Sequence, residues 1–111
     1  MVSMVGDVLL AAGEREQALE HYSESLELRR KLAADDPGNA GWKTDLVVSL
    51  YKVSITLMAD NKFQMAINNF AEAVGILKTL DAKGKLSVDQ QNWISIVEEQ
   101  QAECIKRSKE E

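Results

Sequence analysis

The chain is poor in residues that interrupt helices or cross-link a fold. Its 111 residues include one proline, one cysteine and one histidine. With so few breakers and almost no alternating apolar–polar pattern, the bulk of the chain is predicted to be helical. One cysteine cannot form an internal disulfide, so nothing points to an oxidising compartment. We expect a cytoplasmic protein.

Positive charge and long apolar runs are also scarce. Lysine and arginine together number 13 against 18 acidic residues, which gives a net charge of −5. Sequence-independent binding to nucleic acid requires a basic surface, and so does adsorption to an anionic membrane. No apolar run approaches the roughly 20 residues of a transmembrane helix, and no charged-then-apolar leader precedes a cleavage site. We therefore expect neither nucleic acid nor membrane as a partner.

What the chain does contain is an internal repeat with an offset of 48 residues. Conservative pairs such as Tyr22/Phe70 accompany the identical ones. The identical pairs include Val5/Val53, Leu9/Leu57, Ala11/Ala59, Ala18/Ala66, Glu24/Glu72 and Leu32/Leu80. A fixed period in this range is typical of stacked-repeat proteins, in which no single unit can bury its apolar face alone.

Apolar spacing and capping residues predict five helices. Asn39 is expected to cap the third helix, and Ser87 with Gln90 forms a capping box for the fifth. The predicted helices span residues 2–12, 14–34, 39–59, 63–80 and 87 to about 107. Gly13 ends the first helix, and the Asp35-Asp36-Pro37-Gly38 turn ends the second. Residues 108–111 are expected to fray.

Short loops between these helices make neighbours antiparallel. The sequence thus predicts an all-α fold in a single domain of residues 1–111. It contains two helix-turn-helix repeats (about 2–34 and 40–80) and a C-terminal capping helix (about 86–107).

The two repeats resemble tetratricopeptide repeats over about residues 2–80. Small residues allow helices to approach closely, and aromatic rings fill the space beside them. The matching positions are Gly6, Leu9, Gly13, Ala18 and Tyr22 in the first repeat, and Phe63, Ala66, Phe70 and Ala73 in the second. The resemblance implies that the pairs stack as a right-handed α-solenoid.

The repeat is longer than the 34 residues usual in that family. The excess is about four helical turns, roughly two per helix, so the buried faces stay in register. The chain therefore resembles a long-helix bacterial-type variant, with a turn at residues 36–40 before Trp42. Because the predicted first helix is about two turns shorter than the third, we expect the chain to be part of a longer array.

The resemblance also implies a binding surface. In this family the first helix of each pair lines a concave face that holds a peptide or a partner helix. The partner-binding positions carried over in this way are Asp7, Leu10, Val48, Tyr51, Lys52, Ile55 and Met58. Of the cationic clamp that some members use for a terminal carboxylate, only Lys52 is matched. The expected function is a protein–protein interaction scaffold; the alternative is a structural module that stacks on further repeats or on a second copy.

The third predicted helix is apolar on nearly all its sides, and such a helix is normally buried all round. One interpretation makes it the central helix of a five-helix core. The other makes Val48, Tyr51, Ile55 and Met58 an exposed apolar groove for a partner helix or a second copy.

Signals of catalysis are weak. His21 has no converging set of metal ligands, so a solvated histidine is the simpler interpretation. Cys104 has no nearby histidine and is predicted to be a small buried residue. The sequence contains no glycine-rich phosphate loop, nucleophile elbow or cysteine pair. We expect no enzyme activity, no metal and no cofactor.

Overall fold

The computed structural model describes residues 14–110, except for the side chain of Arg15. This part of the chain forms four helices and no strand: α1 (Arg15–Asp35), α2 (Ala40–Ala59), α3 (Phe63–Ala82) and α4 (Val88–Glu110). Each helix packs on the next one along the chain. The prediction of an all-α fold is confirmed for these residues, whereas the predicted helix at residues 2–12 lies outside them.

Local capping explains where the helices begin and end. The Asn39 side chain accepts a hydrogen bond of 3.0 Å from the Trp42 amide. Ser87 and Gln90 form the predicted capping box. The Ser87 side chain accepts a hydrogen bond from the Gln90 amide at 3.2 Å, and the Gln90 side chain accepts one from the Ser87 amide at 3.0 Å. After α2, Asn61 adopts a left-handed backbone conformation (φ 61°), which closes the helix. The predicted caps are confirmed.

The predicted end of the last helix was wrong. Residues 108–110 continue α4 instead of fraying. Arg107 pairs with Glu103 one turn earlier at 3.1 Å, and the Ser108 hydroxyl donates to the Ile105 carbonyl at 2.7 Å. Basic residues in the final turn also interact favourably with the helix dipole. These contacts stabilise a last turn that apolar spacing alone did not predict.

Contacts near the helix ends show that neighbouring helices are antiparallel. Gln91, near the start of α4, donates to Asp81, near the end of α3, at 2.9 Å. The Cys104 thiol, near the end of α4, lies 3.5 Å from the carbonyl oxygen of Phe63 at the start of α3. Three- to five-residue loops allow no other arrangement of long packed helices.

Small residues and rings at equivalent repeat positions form the core. Ala18 and Ala66, related by the offset of 48, are both fully buried, and so is Ala73. Phe70 is also fully buried, and its ring meets Tyr51 edge to face with centroids 6.1 Å apart. Ala66 and Ala73 are therefore inaccessible to solvent. The reason is that only a methyl group fits where helices pack this closely.

Helix α2 is buried on most sides but not on all. Its core residues include Leu46, Leu50, Val53 and Leu57. A narrow stripe remains more open: Val48 is exposed, and Ile55 is half-buried against the core. The central-helix interpretation therefore describes most of α2, and the groove interpretation describes one stripe of it.

The repeat offset also relates α4 to α2. Leu50 and Met58 of α2 are buried, whereas the residues 48 positions later, Glu98 and Lys106, are exposed. Helix α4 is thus polar at positions that are equivalent to buried positions of α2.

Candidate partner-binding groove

An apolar groove runs between α2 and α4. It encloses about 240 Å³. Its lining consists of Val47, Val48, Tyr51 and Lys52 from α2, and Trp93, Ile96 and Val97 from α4. On each helix these residues are three or four positions apart, so they share one helix face. We refer to this feature below as the α2–α4 groove.

The two most open apolar residues of the α2–α4 groove are equivalent in the repeat. Val48 is 37% exposed, and Ile96, which follows it by 48 positions, is 46% exposed. Val47 and Val97 beside them are almost completely buried. The groove therefore has a buried base and an accessible rim, and both helices contribute to each.

Aromatic and charged contacts hold the α2 wall in place. The Tyr51 ring packs edge-on against the buried Phe70. The Lys52 ammonium lies 5.9 Å from the centroid of the Tyr22 ring of α1, within cation–π range. A wall fixed in this way loses little side-chain entropy when a ligand binds, which favours affinity.

The structure places the predicted binding residues unequally. Val48, Tyr51 and Lys52 line the α2–α4 groove. Ile55 packs against the core at half burial, and Met58 is only 5% exposed and belongs to the core. Because α2 is packed by helices on both flanks, a residue near its end lies between them instead of facing out. Asp7 and Leu10 lie outside the described residues.

Sequence reasoning missed the α4 half of the groove. Trp93, Ile96 and Val97 belong to the last helix, which the sequence predicts only as a capping helix. The signal that could have found them is the offset itself, since it relates Val48 to Ile96.

A second, more polar cavity lies among α1, α2 and α3. It encloses about 600 Å³, and its lining includes Ala33, Lys43, Ile76 and Thr79. Arg30 of α1 and Glu72 of α3 join across it in a bidentate ion pair, with N–O distances of 2.7 and 2.9 Å. This pair links two helices that are not consecutive in the chain.

The structure describes the surroundings of Cys104, one of the two candidate reactive residues. Cys104 is fully buried, as predicted. Burial raises the pKa of its thiol, and nearby Arg107 opposes this only partly. The thiol therefore stays protonated near neutral pH and is a poor nucleophile. Within residues 14–110, no three His, Cys, Asp or Glu side chains converge closely enough to hold a metal ion.

We predict that stoichiometric zinc leaves the melting temperature of the protein unchanged. A metal that binds only the native state must raise that temperature. Differential scanning fluorimetry with and without one equivalent of zinc measures the effect, and EDTA provides the metal-free control. A rise of several degrees would contradict the interpretation of His21 and Cys104 as unreactive residues.

Comparisons with protein-family models, with curated proteins and with solved structures find no match. The likeness to tetratricopeptide repeats therefore depends on the residues of this chain alone. None of the four helices in the described part combines the length and apolar character needed to cross a membrane.

Proposed function

We propose that this chain is an interaction scaffold of the tetratricopeptide-like α-solenoid type, which holds a peptide or a partner helix in the α2–α4 groove. The observation that carries the proposal is the apolar lining at the junction of α2 and α4. A groove between two side-by-side helices suits the apolar face of an amphipathic segment.

The exposure of the rim supports this function. Val48 and Ile96 are accessible enough to contact a ligand, while Val47 and Val97 beneath them stay buried. Apolar side chains that remain exposed at equivalent positions of a repeat need a reason, because contiguous apolar surface is uncommon on a monomer. The lining is apolar apart from the Lys52 ammonium and the polar edges of Tyr51 and Trp93. We therefore expect ligands with two or more apolar anchors.

We predict that Ile96→Glu weakens the binding of peptides selected on the wild-type protein. The substitution places a carboxylate at the groove rim, and an apolar anchor would have to desolvate it. The fold should survive because Ile96 is 46% exposed. Peptides come from a display library panned on the wild type, and isothermal titration compares the two proteins. The expected loss of affinity is at least about tenfold.

Met65→Glu is the matched control, since Met65 is an exposed apolar residue of α3 outside the groove lining. Its binding should equal that of the wild type. If the library yields no groove-dependent peptide, or if both variants bind alike, the proposal is contradicted. Circular dichroism checks that both variants remain helical.

The structural alternative also has an observation in its favour. Val88 is exposed and lies two turns before Ile96 on α4, so apolar exposure continues along this helix. Self-association through this surface would use a two-fold arrangement, the commonest in homo-oligomers. Sedimentation of the wild type at high concentration tests this alternative. A dimer that Ile96→Glu converts to a monomer would support self-association, and a wild-type monomer would contradict it.

A further inference from the structure

One face of α1 is an open copy of a junction that the chain forms internally. In that junction, the Arg30 guanidinium of α1 makes two hydrogen bonds to the Glu72 carboxylate of α3, at 2.7 and 2.9 Å. Ile76 of α3 lies beside this pair, half-buried, and Ala33 of α1 lines the same cavity. The junction thus combines one ion pair, one apolar contact residue and one small residue.

The repeat offset places the acceptor half of this junction on α1 as well. Glu24 stands 48 positions before Glu72, and Leu28 stands 48 positions before Ile76. Leu28 is 56% exposed, and Glu24 is exposed with no ion pair within residues 14–110. On α3 the equivalent carboxylate is paired and the equivalent apolar residue is half-buried.

We propose that Glu24 and Leu28, the acceptor face, receive a further helical unit with the same 48-residue pattern. The second helix of that unit presents a basic residue at the repeat position of Arg30 and a small residue at that of Ala33. Charge complementarity at this one position supports the occupant: Glu24 is exposed, and its repeat equivalent Glu72 is paired with Arg30. A basic side chain at the Arg30 position would neutralise Glu24, whereas an acidic one would repel it.

A second copy of this chain does not fit the acceptor face. The residue equivalent to Arg30 in the last unit is Lys78, 48 positions later. Lys78 is already paired with Glu98 of α4 at 3.2 Å. Helix α4 also packs on α3 where the first helix of the receiving unit would lie. The occupant is therefore a unit in which the residue equivalent to Arg30 is not already paired and no helix equivalent to α4 covers the contact face.

The test adds such a unit to the full chain. A copy of residues 1–48 is fused ahead of Met1, so that Arg30 of the added unit precedes Glu24 by 42 residues, the separation of Arg30 and Glu72. Leu28→Cys in the original chain reports on the acceptor face through its rate of reaction with a thiol reagent. Cys104 is fully buried and gives a slow background.

We expect Leu28→Cys to react quickly in the unfused chain and at least about tenfold more slowly in the fusion, since protection follows the fraction of time the face is covered. Equal rates in the two proteins would overturn the proposal. Because the probe lies on α1, this outcome is independent of ligand binding in the α2–α4 groove.

Charge reversal tests the ion pair. In the fusion, Glu24→Arg should raise the labelling rate about threefold or more beyond its effect in the unfused chain, because it replaces an attraction with a repulsion. The unfused reference removes the direct effect of the introduced guanidinium on the pKa of the introduced thiol. Adding Arg30→Glu in the added unit should restore the slow rate. Glu20→Arg is the control, since it lies one turn away at the repeat position of the exposed Asn68. If Glu24→Arg and Glu20→Arg have the same effect, the proposed pairing is wrong.

Discussion

The double substitution Ala66→Leu/Ala73→Leu should destabilise the protein strongly. Both alanines are 0% exposed, and both lie on the face of α3 that packs against neighbouring helices. Each added isobutyl group must force helices apart or adopt a strained rotamer, at a cost of about 1–3 kcal/mol per site. The pair therefore removes a large part of the 5–15 kcal/mol or so that is typical of a small domain. Urea denaturation followed by circular dichroism measures the loss.

Ala71→Leu is the matched control. Ala71 lies on the same helix but is exposed. Leucine and alanine are both good helix formers, so this change should alter the free energy of unfolding by no more than about 0.5 kcal/mol. Wild-type stability in the Ala66→Leu/Ala73→Leu protein would contradict the close helix packing that these alanines permit.

Leu50→Ala is expected to destabilise the protein strongly. Leu50 is fully buried, and its truncation leaves a cavity that packed helices cannot close, which costs about 2–5 kcal/mol. The midpoint of thermal unfolding should fall by about 10 °C or more. Scanning calorimetry or thermal circular dichroism provides the measurement.

Val48→Ala, two positions away, separates the buried sides of α2 from its open stripe. Val48 faces the α2–α4 groove at 37% exposure, so little packing is lost, and the higher helix propensity of alanine offsets part of it. Its stability should stay close to that of the wild type. Equal losses for Leu50→Ala and Val48→Ala would mean that α2 is buried on all sides and that no groove is open to a ligand.

The candidate site could be predicted only in part. The α2 half of the groove was predicted through Val48, Tyr51 and Lys52, because the resemblance placed one face of that helix on a binding surface. Met58 is buried in the core and Ile55 packs against it, and neither lines the groove. Both lie at the same helical spacing as Val48 and Tyr51, and apolar spacing cannot tell which neighbour will cover a given turn. The α4 half was missed because an apolar helix side has the same pattern whether it faces a core or a groove.

Local information determined the helices of this protein. Some signals act within a few residues, namely the Asn39 cap, the Ser87–Gln90 cap and the turn around Pro37. The small residues at the repeat offset follow a simple period. Both kinds of signal can be recognised from the chain alone. The ends of α3 and α4 were the exceptions, since α3 continues to Ala82 and α4 to Glu110, beyond their predicted ends. Side-chain pairs such as Arg107–Glu103 stabilise the last turn of α4.

Only the tertiary structure decided which apolar surfaces stay open. Leu28 and Ile76 share a repeat position, yet Leu28 is 56% exposed while Ile76 packs against the core. Burial depends on whether a neighbouring helix is present at that point of the stack, and a residue's own sequence context does not contain this information. The same reason explains the α2–α4 groove, which exists because two helices far apart in the chain lie side by side without closing over Val48 and Ile96.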